Sequence, residues 1–363
     1  MRVSIDVTPL LLRSAGVKTY VHYWTRYLQA AAGSHKLELF PFVDQARLPE
    51  ACVHERSVLG RWETLSRLAL LHAANHSPVP ILNAAGARLD LFHASHQLLR
   101  PPLNTKITAT LYDMTCWLMP ETHTAANVAM AKRFARKVLA RADGLVAISE
   151  STRADSMRIL GLKPERIEVI YPGVAEPFFG AAPAGRAKPY ILFVGTIEPR
   201  KNLNLLLDAY QGLPPSLREE YDLVVAGSPG WGDAGAIRRL RSGETGVDYL
   251  GYVPEQDLPG LTAGATVFVY PSLYEGFGLP LAQAMAAAVP AITSNVSSLP
   301  EVCGDAALLV DPRSLEELSS ALRRILLSPS LRTELSFNAA QRAQQYRWEV
   351  CARKSWQFFE RMV

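Results

Sequence analysis

Two clusters of residues in the second half of this 363-residue chain have the types and spacing to bind an anion and to orient a hydroxylated ligand. The first lies in Tyr270-Pro-Ser-Leu-Tyr-Glu-Gly-Phe-Gly-Leu-Pro-Leu-Ala-Gln-Ala-Met285. The apolar run from Ala265 to Tyr270 predicts a buried strand. Gly276 and Gly278 then form a turn, Pro280 stands where a helix should begin, and Leu281 to Ala288 continues with strong helix formers. The first amides of a helix have no intrahelical partner, and its dipole favours negative charge. Glycine lets an anion approach the backbone closely. Gly276, Phe277, Gly278 and Leu279 are therefore candidate anion-binding positions. Glu275, at the lip of the turn, is an acceptor-only carboxylate suited to hydroxyl groups. The second cluster is Phe193-Val-Gly-Thr-Ile-Glu-Pro-Arg-Lys-Asn202. A strand ends at Gly195, a helix begins after Asn202, and two cations stand between. Arg200 offers a planar fork and Lys201 a movable point charge. Taken singly, the first cluster also fits an ordinary strand-to-helix turn and the second a solvated helix start, because a glycine-rich turn alone is a weak signal.

The elements that must position these residues alternate along the chain. Strand-like runs in the first half are Val3–Val7, Leu37–Val43, Leu89–His93, Ile107–Tyr112, Gly144–Ile148 and Ile167–Tyr171. In the second half they are Tyr190–Val194, Tyr221–Ala226, Val247–Leu250, Thr266–Tyr270, Ala291–Thr293 and Ala307–Val310. Helical patterns intervene, among them Val17–Ala31, Thr124–Arg141, Asn202–Gln211, Ala234–Arg241 and Leu315–Leu327. Such alternation predicts an α/β chain with two Rossmann-like, doubly wound parallel sheets. The stretch from Glu176 to Pro189, rich in Pro, Gly and Ala, reads as a linker. The expected organisation is an N-terminal domain over 1–175, a C-terminal domain over 190–340, and a last helix over 346–363. Gly227, after the strand ending at Ala226, is placed at the carboxyl edge of the second sheet, where open α/β sheets hold ligands.

Composition narrows the function classes. Hydrophobic residues make up 48% and charged residues 20%, as in a soluble globular chain with sizeable cores. A net charge of +4 is too modest for a nucleic-acid-binding protein and compatible with anionic ligands or an anionic membrane surface. Cys52, Cys116, Cys303 and Cys351 have neither metal-ligand nor redox spacing, so reduced cytosolic thiols are expected. The N-terminus lacks a signal-peptide core. Leu65–Ala74 is too short to span a bilayer and is interrupted by Arg67 and His72. The expected location is cytoplasmic, with peripheral contact at the inner face of a membrane as a possible addition.

The Glu275 segment resembles the signature of the retaining glycosyltransferases of family 4, which have the GT-B fold of two Rossmann-like domains facing across a cleft. That motif is a Glu, seven residues, then a second Glu; here Glu275 is the first and Gln283 stands at the second. The resemblance implies that Glu275 faces the transferred sugar and that Gln283 meets the nucleotide ribose with one carbonyl acceptor in place of a carboxylate. It implies that Lys201 contacts the donor diphosphate, with Arg200 beside it. The Glu-Pro-Arg-Lys-Asn wording resembles bacterial mannosyltransferases of polysaccharide and O-antigen assembly. The last helix is implied to cross back to the N-terminal domain.

In the first half the resemblance places a glycine loop at Gly16, close to donor and acceptor. Ile107–Met114 resembles the segment where relatives carry a His-Asp pair; here Tyr112 replaces the His and Asp113 remains. Tyr is a poor proton shuttle near neutral pH. His93 and His96 end another strand and are further candidates to line a cleft. The implied reaction is metal-independent hexosyl transfer, expected to be of mannose from GDP-mannose, with a UDP-sugar such as UDP-glucose as the alternative donor, to a glycan or lipid-linked acceptor. No cofactor and no metal site are expected. Lys132, Arg133, Arg136, Lys137 and Arg141 give one helix a basic face that could meet anionic lipid. Two other readings stay open: a sugar-nucleotide-binding protein that has lost catalysis through Gln283 and Tyr112, and a nicotinamide dinucleotide enzyme, which the missing Gly-x-Gly-x-x-Gly after the first strand disfavours.

Overall fold

Parallel strands covered on both faces need near-continuous apolar runs, and the runs read above form such strands. The computed structural model describes residues 1–13, 16–77, 82–83, 88–95 and 97–363. These divide into two units, one of Met1–Gly173 with Trp348–Val363, the other of Val174–Arg347.

The first unit holds β1 (Arg2–Asp6), β2 (Lys36–Phe40), β3 (Leu91–Ala94), β4 (Lys106–Leu111), β5 (Gly144–Ala147) and β6 (Ile167–Val169). They pair in the order β2-β1-β3-β4-β5-β6, all parallel. Sheet order reverses direction between β1 and β3, which opens a crevice at their carboxyl ends. Phe92, Leu111 and Leu145 pack with Phe134 and Val138 in the core beneath helix Ala125–Phe134. The expected helix over Thr124–Arg141 is interrupted: after Phe134 it widens into a π-turn at Ala135–Leu139, which keeps Val138 and Leu139 buried. Helix Gly16–Ala30 packs on helix Trp348–Met362. Their contact is aromatic with each indole N–H satisfied: Trp24 Nε1 donates to Ser355 Oγ and Trp356 Nε1 to the Leu28 carbonyl, both at 2.9 Å.

The second unit holds β7 (Tyr190–Val194), β8 (Asp222–Ala226), β9 (Val247–Gly251), β10 (Val267–Tyr270), β11 (Ala291–Ser294) and β12 (Ala307–Val310). The order is β12-β11-β10-β7-β8-β9, again all parallel. Strand β7 comes first in the chain and lies centrally, so the order reverses between β7 and β10. The Glu176–Pro189 segment is counted with this unit, where the Ala184 amide donates to the Gly260 carbonyl. One helix starts and stops earlier than its sequence suggests: Leu279–Ala286 rather than Leu281–Ala288. Gly278 at φ 91° turns the chain before Leu279, Pro280 fits the first turn where no amide partner is required, and Ala288 leaves the helical region at φ 56°.

Candidate functional site

The reversal between β7 and β10 gathers the charged residues of the second unit. After β7 the chain makes a short turn, Pro199–Lys201, and Asn202 adopts the left-handed region at φ 59°. The Asn202 amide donates to the carbonyls of Pro271 at 3.0 Å and Pro312 at 2.7 Å, and the Leu273 amide donates to the Arg200 carbonyl at 2.8 Å. These bonds tie the loop after β7 to the loops after β10 and β12. Arg200, Lys201 and Glu275 are thereby brought into one cluster. Glu275 Oε1 lies 2.6 Å from Lys201 Nζ, and Oε2 lies 2.8 Å from the Arg200 guanidinium. Arg200 also donates to the Tyr274 carbonyl at 2.8 Å and to Glu198 Oε1 at 2.5 Å. Lys201 donates to the Tyr270 hydroxyl at 2.6 Å.

Buried charges persist only when paired, and here two cations meet two carboxylates. Burial by itself would push the Glu275 carboxyl up; Arg200 and Lys201 outweigh it and hold the group at about 2. Burial and the neighbouring Arg200 push Lys201 down, against the pull of Glu275 and Glu198. The main chain of Glu275 is fixed as well. Its amide donates to Ser297 Oγ and its carbonyl accepts from Ser298 Oγ, each at 3.0 Å. Ser297 sits at φ 53°, a region that costs energy for a residue with a side chain.

The glycine turn lies directly after. Gly276, Phe277 and Gly278 are buried. The Phe277 ring packs edge-on against Tyr346, 5.3 Å between centroids, so the ring belongs to the core and only the main chain of this residue faces the turn. Glycine is favoured at 278 by its φ of 91°, and a Cβ there would also stand 2.6 Å from the Leu299 Cδ2 methyl, which would have to move. Leu279 opens the helix, and Gln283 lies half-buried on its second turn. Gly227 follows β8 at the carboxyl edge of the sheet, as expected. Its amide donates to the Gly251 carbonyl at 2.7 Å and its carbonyl accepts from the Tyr249 hydroxyl at 2.9 Å. Its φ is 154°, and an added Cβ would fall 1.8 Å from the Gly195 oxygen. Gly227 lets the edges of β8 and β7 close on each other rather than offering a free amide.

Tyr112, Asp113 and Gly16 belong to the first unit, not to this cluster. Asp113 Oδ1 accepts from the Thr115 amide at 2.9 Å and the Thr115 hydroxyl at 2.6 Å, starting the turn that follows β4. Tyr112 is half-buried and edge-on to Tyr20, 5.4 Å between centroids. Burial, then the charge of Asp6, push its hydroxyl far up, so it stays neutral near pH 7. Gly16 is exposed at the start of helix Gly16–Ala30, with open space around it. His93 does not line a cleft. Its ring spans Thr108 and Thr110, with 2.9 Å to each hydroxyl, and burial lowers it to about 3, so it is a neutral strut inside the sheet. His96 lies outside the described residues.

Sequence reasoning missed Asp6. It ends β1 beside the first unit's reversal point, 1% exposed, with Oδ1 accepting from the Thr8 amide and hydroxyl and Oδ2 from Ser95 Oγ after β3. An Asp closing an apolar strand was the available signal. Tyr270, Ser297 and Ser298 were missed because nothing in their spacing distinguishes them from packing residues.

Comparison with known proteins adds an independent observation. Residues 14–176 match the family described as Glycosyltransferase Family 4, and residues 177–342 match Glycosyl transferases group 1. The O-antigen chain mannosyltransferase B of Escherichia coli is 35% identical over 273 residues, covering 72% of this chain and 71% of that protein. The chain belongs to glycosyltransferase family 4. The serotype-specific mannosyltransferase WbdA of Escherichia coli is 29% identical over 238 residues, spanning 61% of this glycosyltransferase but only 29% of WbdA's own length. Among solved structures, sucrose-phosphate synthase of Thermosynechococcus elongatus superposes with a TM-score of 0.75 at 22% identity, over 99% of this chain and 98% of that one. HepE of Anabaena, in complex with UDP-glucose, superposes at 0.73 and 17% identity over 99% and 100%. These likenesses show the GT-B fold, with two Rossmann-like units, in this glycosyltransferase.

The expected sites thus divide by unit. The second unit of the glycosyltransferase assembles Arg200, Lys201, Glu275 and the glycine turn from residues 75 positions apart in sequence, through hydrogen bonds no spacing rule supplies. The first unit presents Tyr112 and Asp113 after β4, with the carboxylate already engaged by Thr115.

Proposed function

We propose that this glycosyltransferase transfers mannose from GDP-mannose, with retention at the anomeric carbon and without a metal ion, to a hydroxyl of a glycan or lipid-linked glycan. The observation that carries the reading is the meeting of Arg200, Lys201 and Glu275 at the β7–β10 reversal. Such a cluster can exchange one anion for another: a donor diphosphate takes N–H groups of Arg200 and Lys201, and Glu275, relieved of part of its pairing, accepts from the sugar hydroxyls. Main-chain amides at Gly276, Phe277, Gly278 and Leu279, at a helix N-terminus, add positive potential where the diphosphate leaves. Gln283 receives the ribose. The bond from the anomeric carbon to the diphosphate oxygen breaks while the acceptor oxygen bonds to the same face, and the departing phosphate takes the acceptor proton. Protein groups then contribute position and charge rather than a nucleophile. Within the first unit, Tyr112, Asp113 and Gly16 are the residues this reading assigns to the acceptor.

Mannose as the sugar follows the names of the relatives, O-antigen chain mannosyltransferase B among them. A UDP-sugar is the second donor, since a neighbour of the same fold holds UDP-glucose. Among the described residues no helix is long and apolar enough to cross a membrane. Lys132, Arg133, Arg136, Lys137 and Arg141 are all exposed, a basic face suited to anionic lipid around a lipid-linked acceptor. The test is calorimetric titration of GDP, UDP, GDP-mannose and UDP-glucose in the presence of a chelator. Tightest binding of GDP-mannose, weakened at least tenfold in Lys201→Ala, is expected. Binding of none, or binding only with added metal, refutes the proposal.

A further inference from the structure

An ammonium has three donors, and two of those on Lys201 are engaged by Glu275 Oε1 and the Tyr270 hydroxyl, each at 2.6 Å. Tyr270 closes β10 and is fully buried. Its ring stacks along Phe268, 5.8 Å between centroids, and beside Phe193 at 6.2 Å, and its carbonyl accepts from Thr293 Oγ1 at 2.9 Å. A phenylalanine would fill that volume equally well, so the hydroxyl needs a separate reason. Glu275 could bind an ammonium through either oxygen, but Oε2 is held by Arg200 at 2.8 Å. The phenol supplies Nζ with a second, neutral acceptor beside the Glu275 carboxylate. We propose that Tyr270 is a positioning residue for Lys201, its hydroxyl splitting the ammonium's bonds between a neutral and a charged acceptor so that the third N–H stays available to a donor phosphate oxygen. Burial, and after it the charge of Glu275, keep the phenol un-ionised, so it remains an acceptor without adding a second negative charge. The inference rests on the reading of Lys201 as a diphosphate contact.

The test substitution is Tyr270→Phe, which keeps the ring. In the free protein, carbon-13 NMR of labelled lysines follows the Lys201 titration, assigned by its absence in Lys201→Met. Loss of a hydrogen bond that favours the charged form moves this titration to lower pH, by about one pH unit. No movement overturns the inference. In donor kinetics, Tyr270→Phe raises KM for the nucleotide sugar about tenfold with a smaller change in kcat. In a Lys201→Met background the same substitution changes KM less than twofold. Equal losses in both backgrounds, or an equal fall in melting temperature in both, would make Tyr270 a packing residue only and overturn the proposal. If the wild-type protein binds no nucleotide sugar, the donor-site reading fails while the NMR titration still decides the coupling of Tyr270 to Lys201.

Discussion

Replacing Glu275 by Gln should destabilise the second unit strongly at neutral pH and weakly in acid. The carboxyl is held at about 2 against an ordinary 4.5, a difference of about 2.5 pH units at 1.36 kcal/mol each, or about 3 kcal/mol. Because the folded value is depressed, this stabilisation is fully present above pH 4.5 and is lost as pH falls toward 2. The substitution also leaves Arg200 and Lys201 without their shared carboxylate, and breaking a buried pair costs about 3–5 kcal/mol by removal of one partner. The two figures describe the same interaction and agree. Hydrogen exchange of the β7 and β10 amides reads this unit by itself. Glu275→Gln is expected to lower their protection by about 3–5 kcal/mol at pH 7, with the gap narrowing below pH 4.5. Pyrophosphate should restore part of the loss at pH 7, since it supplies the missing negative charge, and transfer should fall by about 100-fold or more. A gap under about 1 kcal/mol at pH 7, or one of the same size at pH 3, would refute the electrostatic account of the cluster.

Gly227→Ala should unfold the β7–β8 edge, because its Cβ has 1.8 Å to the Gly195 oxygen; a melting temperature within about 2 °C of wild type would contradict the geometry. His93, held neutral at about 3 against an ordinary 6.5, stabilises the fold fully above pH 6.5 and loses that contribution, on the order of 5 kcal/mol, as pH falls toward 3. Its His93→Gln variant should show a flatter decline in acid unfolding, and an unchanged slope would count against the buried strut. The double substitution Gln283→Glu with Tyr112→His tests the two departures from the family pattern. A gain in transfer of about tenfold or more would mark them as losses of function, and a fall would mark them as adaptations to this donor.

The strands were legible because parallel strands leave apolar runs: Tyr190–Val194, central and buried, matches its run end to end, and so does Ala307–Val310 at the sheet edge, although Leu309 there is exposed. Helices that expose most of their surface were less so. Glu150–Leu160 and Pro329–Ala343 carry few buried residues, and their periodicity is correspondingly weak. The residues of the β7–β10 cluster could be named from motif types, but their mutual pairing depends on Asn202 reaching Pro271 and Pro312 across the sheet edge. His93 misled for a physical reason: a histidine at a strand end has the chemistry of a ligand, and only the two flanking threonines on β4 reveal that both ring nitrogens are already used.

The return of the chain at Trp348 has a bearing on the order in which the molecule can be completed. The ends of the second unit lie side by side: Val174 and Arg347 form a parallel bridge, the Val174 amide donates to the Tyr346 carbonyl at 2.7 Å, and Arg347 pairs with Glu176 at 2.6 Å. This unit is an insertion whose two ends are tied together, and all of its residues are synthesised in one run. The first unit is split, and Trp24 and Leu28 wait for Ser355 and Trp356, which leave the ribosome only after the whole insertion. The half that is translated second can therefore mature first, reversing the usual N-to-C order. Chains arrested before Trp348 should show a protease-resistant 174–347 core beside a first unit that is still cleavable.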